Sequence, residues 1–270
     1  MSPSLQPEQK VRIANAFSKA AKAYDQIARL QKSVVKHVCK LAKQSLSDNS
    51  SQPLRILDLG CGTADLATQL EQEISCFDYV GVDIAPGMLE VAKSKMTTKG
   101  YQRDFVLADI ENLPELGQFD LIISSLAIQW CDIKLVFSQF EKHLKKNGCF
   151  VLSTLLDGTL AELNQTWLKL DETRHINQFL AEDTLRHKLQ AISSLTSNVL
   201  SCVEELSYPN VLSIMHELKG IGANEVVNSD KQRKLTKAVL RQLEELYPTC
   251  NNEKVVSWHI AYIKGQLKNI

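Results

Sequence analysis

The chain has 270 residues, 44% of them hydrophobic and 23% charged, and its 31 basic and 31 acidic side chains leave a formal net charge of zero. That length and apolar content suit a folded globule with a large core, and no run approaches the roughly 18 apolar residues that a membrane span requires. Seven cysteines at irregular spacing, with no CxxC pair and no apolar signal core in MSPSLQPEQK, argue for reduced thiols in the cytoplasm and against a metal site.

Residues 8–46 are expected to form one or two helices, with Ile13, Ala16, Phe17, Ala20, Ala23, Tyr24 and Ile27 recurring at helical spacing. Most of that stripe reads as core. Tyr24 is the exception, because a tyrosine keeps its ring packed while its hydroxyl reaches a site. Residues 1–50 carry Lys10, Arg12, Lys19, Lys22, Arg29, Lys32, Lys36, Lys40 and Lys43 against Glu8, Asp25 and Asp48. Such a face is either a patch for an anionic partner or a solvated lysine-rich surface. Without aromatic interleaving it does not point to nucleic acid.

After a polar break at 48–53 comes RILDLGCGTADL, residues 55–66, a buried strand that runs into a glycine-rich turn and then a helix. Gly60 and Gly62 permit positive φ and close backbone approach. Asp58, two residues before the first glycine, stands at the carboxyl end of the strand, suited to an ammonium group and hostile to a pyrophosphate. A second strand, 78–83, ends in Asp83, about 20 residues past the glycines, where a ribose-binding carboxylate is expected. A third, 104–108, ends in Asp109 and Ile110, an acceptor for an adenine amino group beside an apolar residue for its ring. Three acids at successive strand ends favour S-adenosylmethionine, whose amino-acid tail, ribose and base match them in turn. A plain structural turn with locally satisfied acids is the bland alternative. A nicotinamide dehydrogenase is disfavoured because Asp65 occupies the position where GxGxxG needs a glycine or alanine.

The alternation continues with helices at 63–73, 86–97 and 133–146 and strands at 119–124 and 148–155, Asn147-Gly148 closing the helix before strand five. Near-continuous apolar strands imply a sheet covered on both faces. Residues 157–195 turn helical, without a strand, and read as a cap. A strand near 198–207, helices at 209–218 and 234–246 and a strand at 255–263 finish the chain. The expected fold is α/β and Rossmann-like, a mostly parallel seven-stranded sheet in one domain. Residues 8–46 form its helical lid, 50–156 its cofactor-binding core, 157–195 its cap and 196–270 its closing elements.

By its motifs the chain resembles the class I S-adenosylmethionine-dependent methyltransferases, and more narrowly the malonyl-acyl-carrier-protein O-methyltransferases of biotin synthesis. The matching stretches are AFSKAAKAYDQIARLQ, LDLGCGTADL, VDIAPGMLEVAK, LADIENLP, FDLIISSLAIQWC, STLLDGTLAEL, the D-E-x-x-H-x-N-x-F-L run from Asp171 to Leu180, and LKGIGAN at 218–224. Ala64 stands where many such proteins have a third glycine, and Arg174 lies one position later than the family's arginine.

The resemblance implies methyl transfer to the free carboxylate of a malonyl thioester on acyl-carrier protein, giving the methyl ester that starts pimeloyl synthesis for biotin. Malonyl coenzyme A is a possible second substrate, and the product cofactor is S-adenosylhomocysteine. It implies cofactor binding by Asp58, Gly60, Cys61, Gly62, Asp83, Ile84, Asp109 and Ile110, with Ser125 and Leu126 flanking the methyl. Tyr24, Gln129, Arg174 and His175 are the candidates for orienting the substrate, with no general base expected because a carboxylate is already ionised at neutral pH. Lys22, Arg29, Lys32 and Lys36 would then steer the acidic carrier. A methyltransferase for a small lipophilic or quinone-like acceptor is the alternative enzyme, and a non-catalytic cofactor-binding subunit the alternative from another class.

Overall fold

The computed structural model describes residues 5–46, 53–74, 77–95, 102–173, 175–223, 225–226 and 235–268. Seven strands form one sheet: β1 (Leu54–Leu59), β2 (Phe77–Asp83), β3 (Arg103–Leu107), β4 (Phe119–Ser124), β5 (Leu144–Leu155), β6 (Leu195–Tyr208) and β7 (Lys254–Leu267). Their spatial order is β3-β2-β1-β4-β5-β7-β6, with β7 antiparallel to both neighbours and the remaining pairs parallel. The chain leaves β1 toward β2 on one side and later returns to place β4 on the other. The carboxyl ends of β1 and β4 therefore diverge at a switch point, where open α/β sheets bind ligands.

Alternation along β1 explains why both faces are apolar. Ile56 packs with α2 (Arg29–Ser45), α3 (Asp65–Glu73), α9 (Val211–Gly220) and α10 (Lys237–Leu246). Leu57 and Leu59 pack on the other face with α5 (Ile133–Ser138), α6 (Phe140–His143) and α8 (Glu182–Gln190). All three residues are fully buried, as two covered faces require. On α2, Leu30, Val34, Val38 and Leu41 repeat at 3 and 4 spacing and face the sheet.

The expected helical region 8–46 is two helices, α1 (Pro7–Ile27) and α2, parted at Ala28, whose ψ of 68° breaks the ladder. α1 lies against α4 (Pro86–Ser94), where a Cβ at Gly87 would come within 2.7 Å of the Ser18 carbonyl oxygen. The expected helix 133–146 stops at His143, and β5 already begins at Leu144. Leu144 pairs with Phe119 but Cys149 with Leu121, so the intervening residues bulge from the strand. Asn147-Gly148 therefore sits in an irregular strand and does not cap a helix, because pairing of Leu144 with Phe119 has already drawn the chain into the sheet, where Lys145 meets Asp120 at 2.9 Å. The cap comprises α7 (Ala161–Asp171) and α8, tied to the sheet by a bridge between Leu156 and Leu180. The expected break at 48–53 and the start of the helix expected at 234–246 fall largely outside the described residues. No helix among the described residues is long and apolar enough to cross a membrane.

Candidate active site

The turn after β1 is built by two glycines with different duties. Gly60 has φ of +72°, and a Cβ there would lie 2.3 Å from the Ala127 Cβ, so the close approach of the turn after β4 demands glycine. Gly62, φ of +54°, would add a Cβ into open space. The backbone N–H groups of Gly60 and Cys61 both donate to the Val82 carbonyl, at 2.8 and 2.9 Å. The Gly62 N–H donates to Asp83 Oδ2 at 2.8 Å, and Asp83 Oδ1 accepts from the Ala85 N–H. With Ile84 as a further backbone donor, the carboxylate still keeps acceptor capacity for a ligand. Burial raises the Asp83 carboxyl above its usual range, against the pull of three backbone N–H groups.

A cavity of about 110 Å³ opens beyond this turn, walled by Gly60, Gly62, Asp83, Ile84, Asp109, Ile110, Ser125 and Leu126. Its roof is α1, which contributes Lys10, Ile13, Phe17 and Tyr24. Lys10 reaches across the mouth, donating to Asp109 Oδ2 at 2.6 Å and forming an ion pair with Glu111. Burial works against the Lys10 ammonium, but hydrogen bonds to the two carboxylates outweigh it, and its pKa is raised. At the other end of α1, Asp25 accepts from the Thr63 hydroxyl at 2.6 Å and pairs with Lys95. Ser125 Oγ is buried at the wall without a hydrogen-bond partner among the described residues.

A second cavity, of about 570 Å³, lies between α1, the cap and α9, and it shares Phe17, Tyr24, Leu126 and Trp130 with the first. Phe17 meets Trp130 edge-on, with ring centroids 6.0 Å apart. Leu126 holds a left-handed backbone, φ of +50°, fixed by its N–H donating to Ser153 Oγ at 3.0 Å. Strain in a β4 turn facing both cavities is the kind that functional sites keep. Burial, with Asp83, Asp25 and Asp65 nearby, pushes the Tyr24 phenol further above its usual pKa and keeps it a neutral donor.

His175 stacks on Trp167 at 3.8 Å, and its Nε2 lies 2.9 Å from Asp171 Oδ2 and 2.8 Å from Thr173 Oγ1. Burial would raise Asp171, but hydrogen bonds from Thr173 and His175 hold its carboxyl below the ordinary range.

Of the residues singled out in sequence, the structure gathers eleven on these walls and sets two behind them. Asp58 is fully buried, accepts from the Tyr79 hydroxyl at 2.6 Å through Oδ2 and leaves Oδ1 without a partner among the described residues. It therefore supports the turn from beneath, where an ammonium group was expected to meet it directly. Cys61 likewise turns from the first cavity, its Sγ packing where a Cβ at Gly81 would stand. Gln129 lines the second cavity, but its amide N–H donates to the Leu126 carbonyl at 2.6 Å and its buried Oε1 has no partner among the described residues. The amide keeps that acceptor and a second N–H beyond the one given to Leu126. Arg174 and Asn224 lie outside the described residues. Arg29 donates to Glu217 at 3.0 Å and lies over the Tyr208 ring, joining α2 to α9 and β6. Sequence reasoning missed Lys10, Trp130 and Trp258. Trp258 lines the second cavity, and its buried Nε1 has no partner among the described residues. A basic residue at helical spacing with Ile13 and Phe17 was the available signal for Lys10; nothing local marked Trp258.

A family model described as a methyltransferase domain matches residues 50–238. The malonyl-[acyl-carrier protein] O-methyltransferase of Hamiltonella defensa is 34% identical over 255 residues, which cover 94% of this chain and 93% of that protein. The chain belongs to that methyltransferase family. It is also 38% identical over 249 residues to a biotin biosynthesis bifunctional protein of Teredinibacter turnerae, matching 89% of this chain and 43% of that longer one. Among solved structures, the YcgJ protein from Bacillus shares the fold with a TM-score of 0.59 at 17% identity, over 87% of this chain and 99% of that one. Seven strands in this order, with helices on both faces, are the Rossmann-like architecture that the sequence implied.

Proposed function

We propose that this chain transfers the methyl group of S-adenosylmethionine to the free carboxylate of a malonyl thioester borne on acyl-carrier protein. One observation carries the reading beyond family membership: two cavities, one walled by strand-end acids and one largely apolar, meet at Phe17, Tyr24, Leu126 and Trp130. Methyl transfer needs that junction, with donor and acceptor held on either side of it.

The residues of the first cavity fit the cofactor. Asp83 would take the ribose hydroxyls, and Asp109 and Ile110 the adenine. The open space beside Gly62 and the orphaned Ser125 hydroxyl leave room and a polar partner for the amino-acid portion. Bound there, S-adenosylmethionine supplies an electrophilic methyl on a sulfonium. The protein's task is then positional. A carboxylate with a pKa near ~4 is ionised at neutral pH and needs no base. Holding the two reactants in line in a water-poor junction contributes roughly 7–11 kcal/mol by effective-molarity arguments. Desolvating the carboxylate opposes this unless donors replace its water. Tyr24 and Trp258 offer an O–H and an N–H on the acceptor side, while Asp171 clamps the orientation of His175. Gln129 acts at one remove, bracing the strained Leu126 turn.

The His175–Asp171 pair also favours a second reading, a quinone-like or other lipophilic acceptor whose nucleophile would need deprotonation. Labelled methyl from S-adenosylmethionine should appear, base-labile, on malonyl-acyl-carrier protein and not on the acetyl form that lacks the free carboxylate. Labelling of neither, with measurable cofactor binding, would move the assignment to the small-molecule acceptor.

A further inference from the structure

A third concavity, of about 600 Å³, runs along the outside of α1 and α9. From α1 it takes Arg12, Asn15 and Lys19, one exposed face at 3 and 4 spacing, and from α9 it takes His216 and Lys219. Arg12, Lys19 and Lys219 have no carboxylate within ion-pair distance among the described residues, and Glu225 is the only acid on the wall there. His216 and Lys219 line the acceptor cavity as well, so the groove and that cavity share a wall. The link continues inward: Asn177 of the acceptor cavity donates to the Glu225 carbonyl at 2.7 Å.

Resting on the acceptor reading above, we infer that this groove is the docking surface for an acidic carrier protein, and that its thioester-bearing arm enters the acceptor cavity past His216 and Lys219. Charge complementarity selects the occupant. Three unpaired cations beside a single carboxylate attract an acidic surface. They line a groove that shares His216 and Lys219 with the acceptor cavity, which gives that attraction a purpose. It also relocates the surface expected from sequence. Arg29 is engaged with Glu217 and Tyr208, and Lys32 stands beside a separate small pocket with Asp65.

Rim charges act chiefly on the association rate and its salt dependence, and exposed substitutions leave folding nearly unchanged. The test uses the full chain with Arg12→Glu and Lys19→Glu together, Lys32→Glu with Lys36→Glu as the comparison pair, and two substrates. One is malonyl-acyl-carrier protein, and the other is malonyl-pantetheine, which has neither phosphate nor protein. The groove variant should lose about tenfold or more in kcat/KM on the carrier-bound substrate at low salt, and the loss should shrink as salt screens the charges beyond a Debye length of about 10 Å at 0.1 M. Its turnover of malonyl-pantetheine should match wild type, and the comparison pair should lose far less on the carrier. Equal loss on both substrates, or none on the carrier, would overturn the docking assignment while leaving the acceptor reading intact. Failure of the wild type on both substrates would overturn the two together. A self-association abolished by Arg12→Glu and Lys19→Glu, with carrier kinetics unchanged, would give the groove to a second copy of the chain.

Discussion

At the residue scale, the turn after β1 concentrates the strongest constraints. Gly62→Ala meets no protein atom, so its effect on folding should be limited to a left-handed backbone penalty of about 1 kcal/mol. A methyl group there would occupy the space offered to the cofactor. Calorimetric titration should show S-adenosylhomocysteine affinity reduced about tenfold or more, equivalent to about 1.4 kcal/mol, while the melting temperature changes little. Asp58 behaves differently. Burial, with Asp83 adding to it and the Tyr79 hydroxyl opposing it, raises its carboxyl from 3.8 to about 7. The native state thus holds its proton where the unfolded chain has released it, so stability falls as pH rises through about 4 to 7 and levels off above that. Asp58→Asn should flatten this slope, matching wild type near the acid end and exceeding it in melting temperature at pH 8. Parallel profiles for the two proteins would show that Asp58 is ionised throughout. The types and spacing of these residues were legible in sequence because a strand that ends in a glycine turn is a local pattern. That Asp58 would face Tyr79 rather than the cavity was not, since Tyr79 lies on the neighbouring strand.

At the element scale, α1 is a roof held at two points, Lys10 to the acids after β3 and Asp25 to Thr63 and Lys95. Between them, Phe17 and Tyr24 line both cavities. With Lys10 clasping this roof over the cavity, α1 is expected to limit the release of a bound ligand. Lys10→Met keeps the apolar stem and removes the clasp. Hydrogen exchange in α1 should quicken while the sheet stays protected, and S-adenosylhomocysteine should dissociate about tenfold faster in stopped flow, affinity differences residing mostly in off-rates. Unchanged exchange in α1 would mean that the clasp is incidental. Periodicity foretold the helices but misjudged the end of the one after β4. Its last turn was overruled by pairing of Leu144 with Phe119, a contact between segments 25 residues apart.

At the scale of the whole molecule, one apolar cluster joins α2, the sheet, Trp167 of the cap, α9 and α10. Lid, core and cap therefore share a core instead of abutting across a polar seam. Thermal unfolding should be a single transition, with far-UV circular dichroism coincident with the fluorescence of Trp130, Trp167 and Trp258, which report the junction, the cap and β7. An earlier fluorescence transition would separate the cap as its own unit. By itself the sequence determined the class of fold and pointed to the cofactor, because hydrophobic period, turn glycines and strand-end acids are set by neighbours along the chain, while the reaction family came from the resemblance of its longer motifs. Only the tertiary structure decided which donors face the acceptor, that one Gln129 N–H is taken by a backbone carbonyl, and that cations of α1 and α9 line one groove whose wall continues into the acceptor cavity. Those features depend on side chains far apart in sequence being brought together, and no local spacing encodes that.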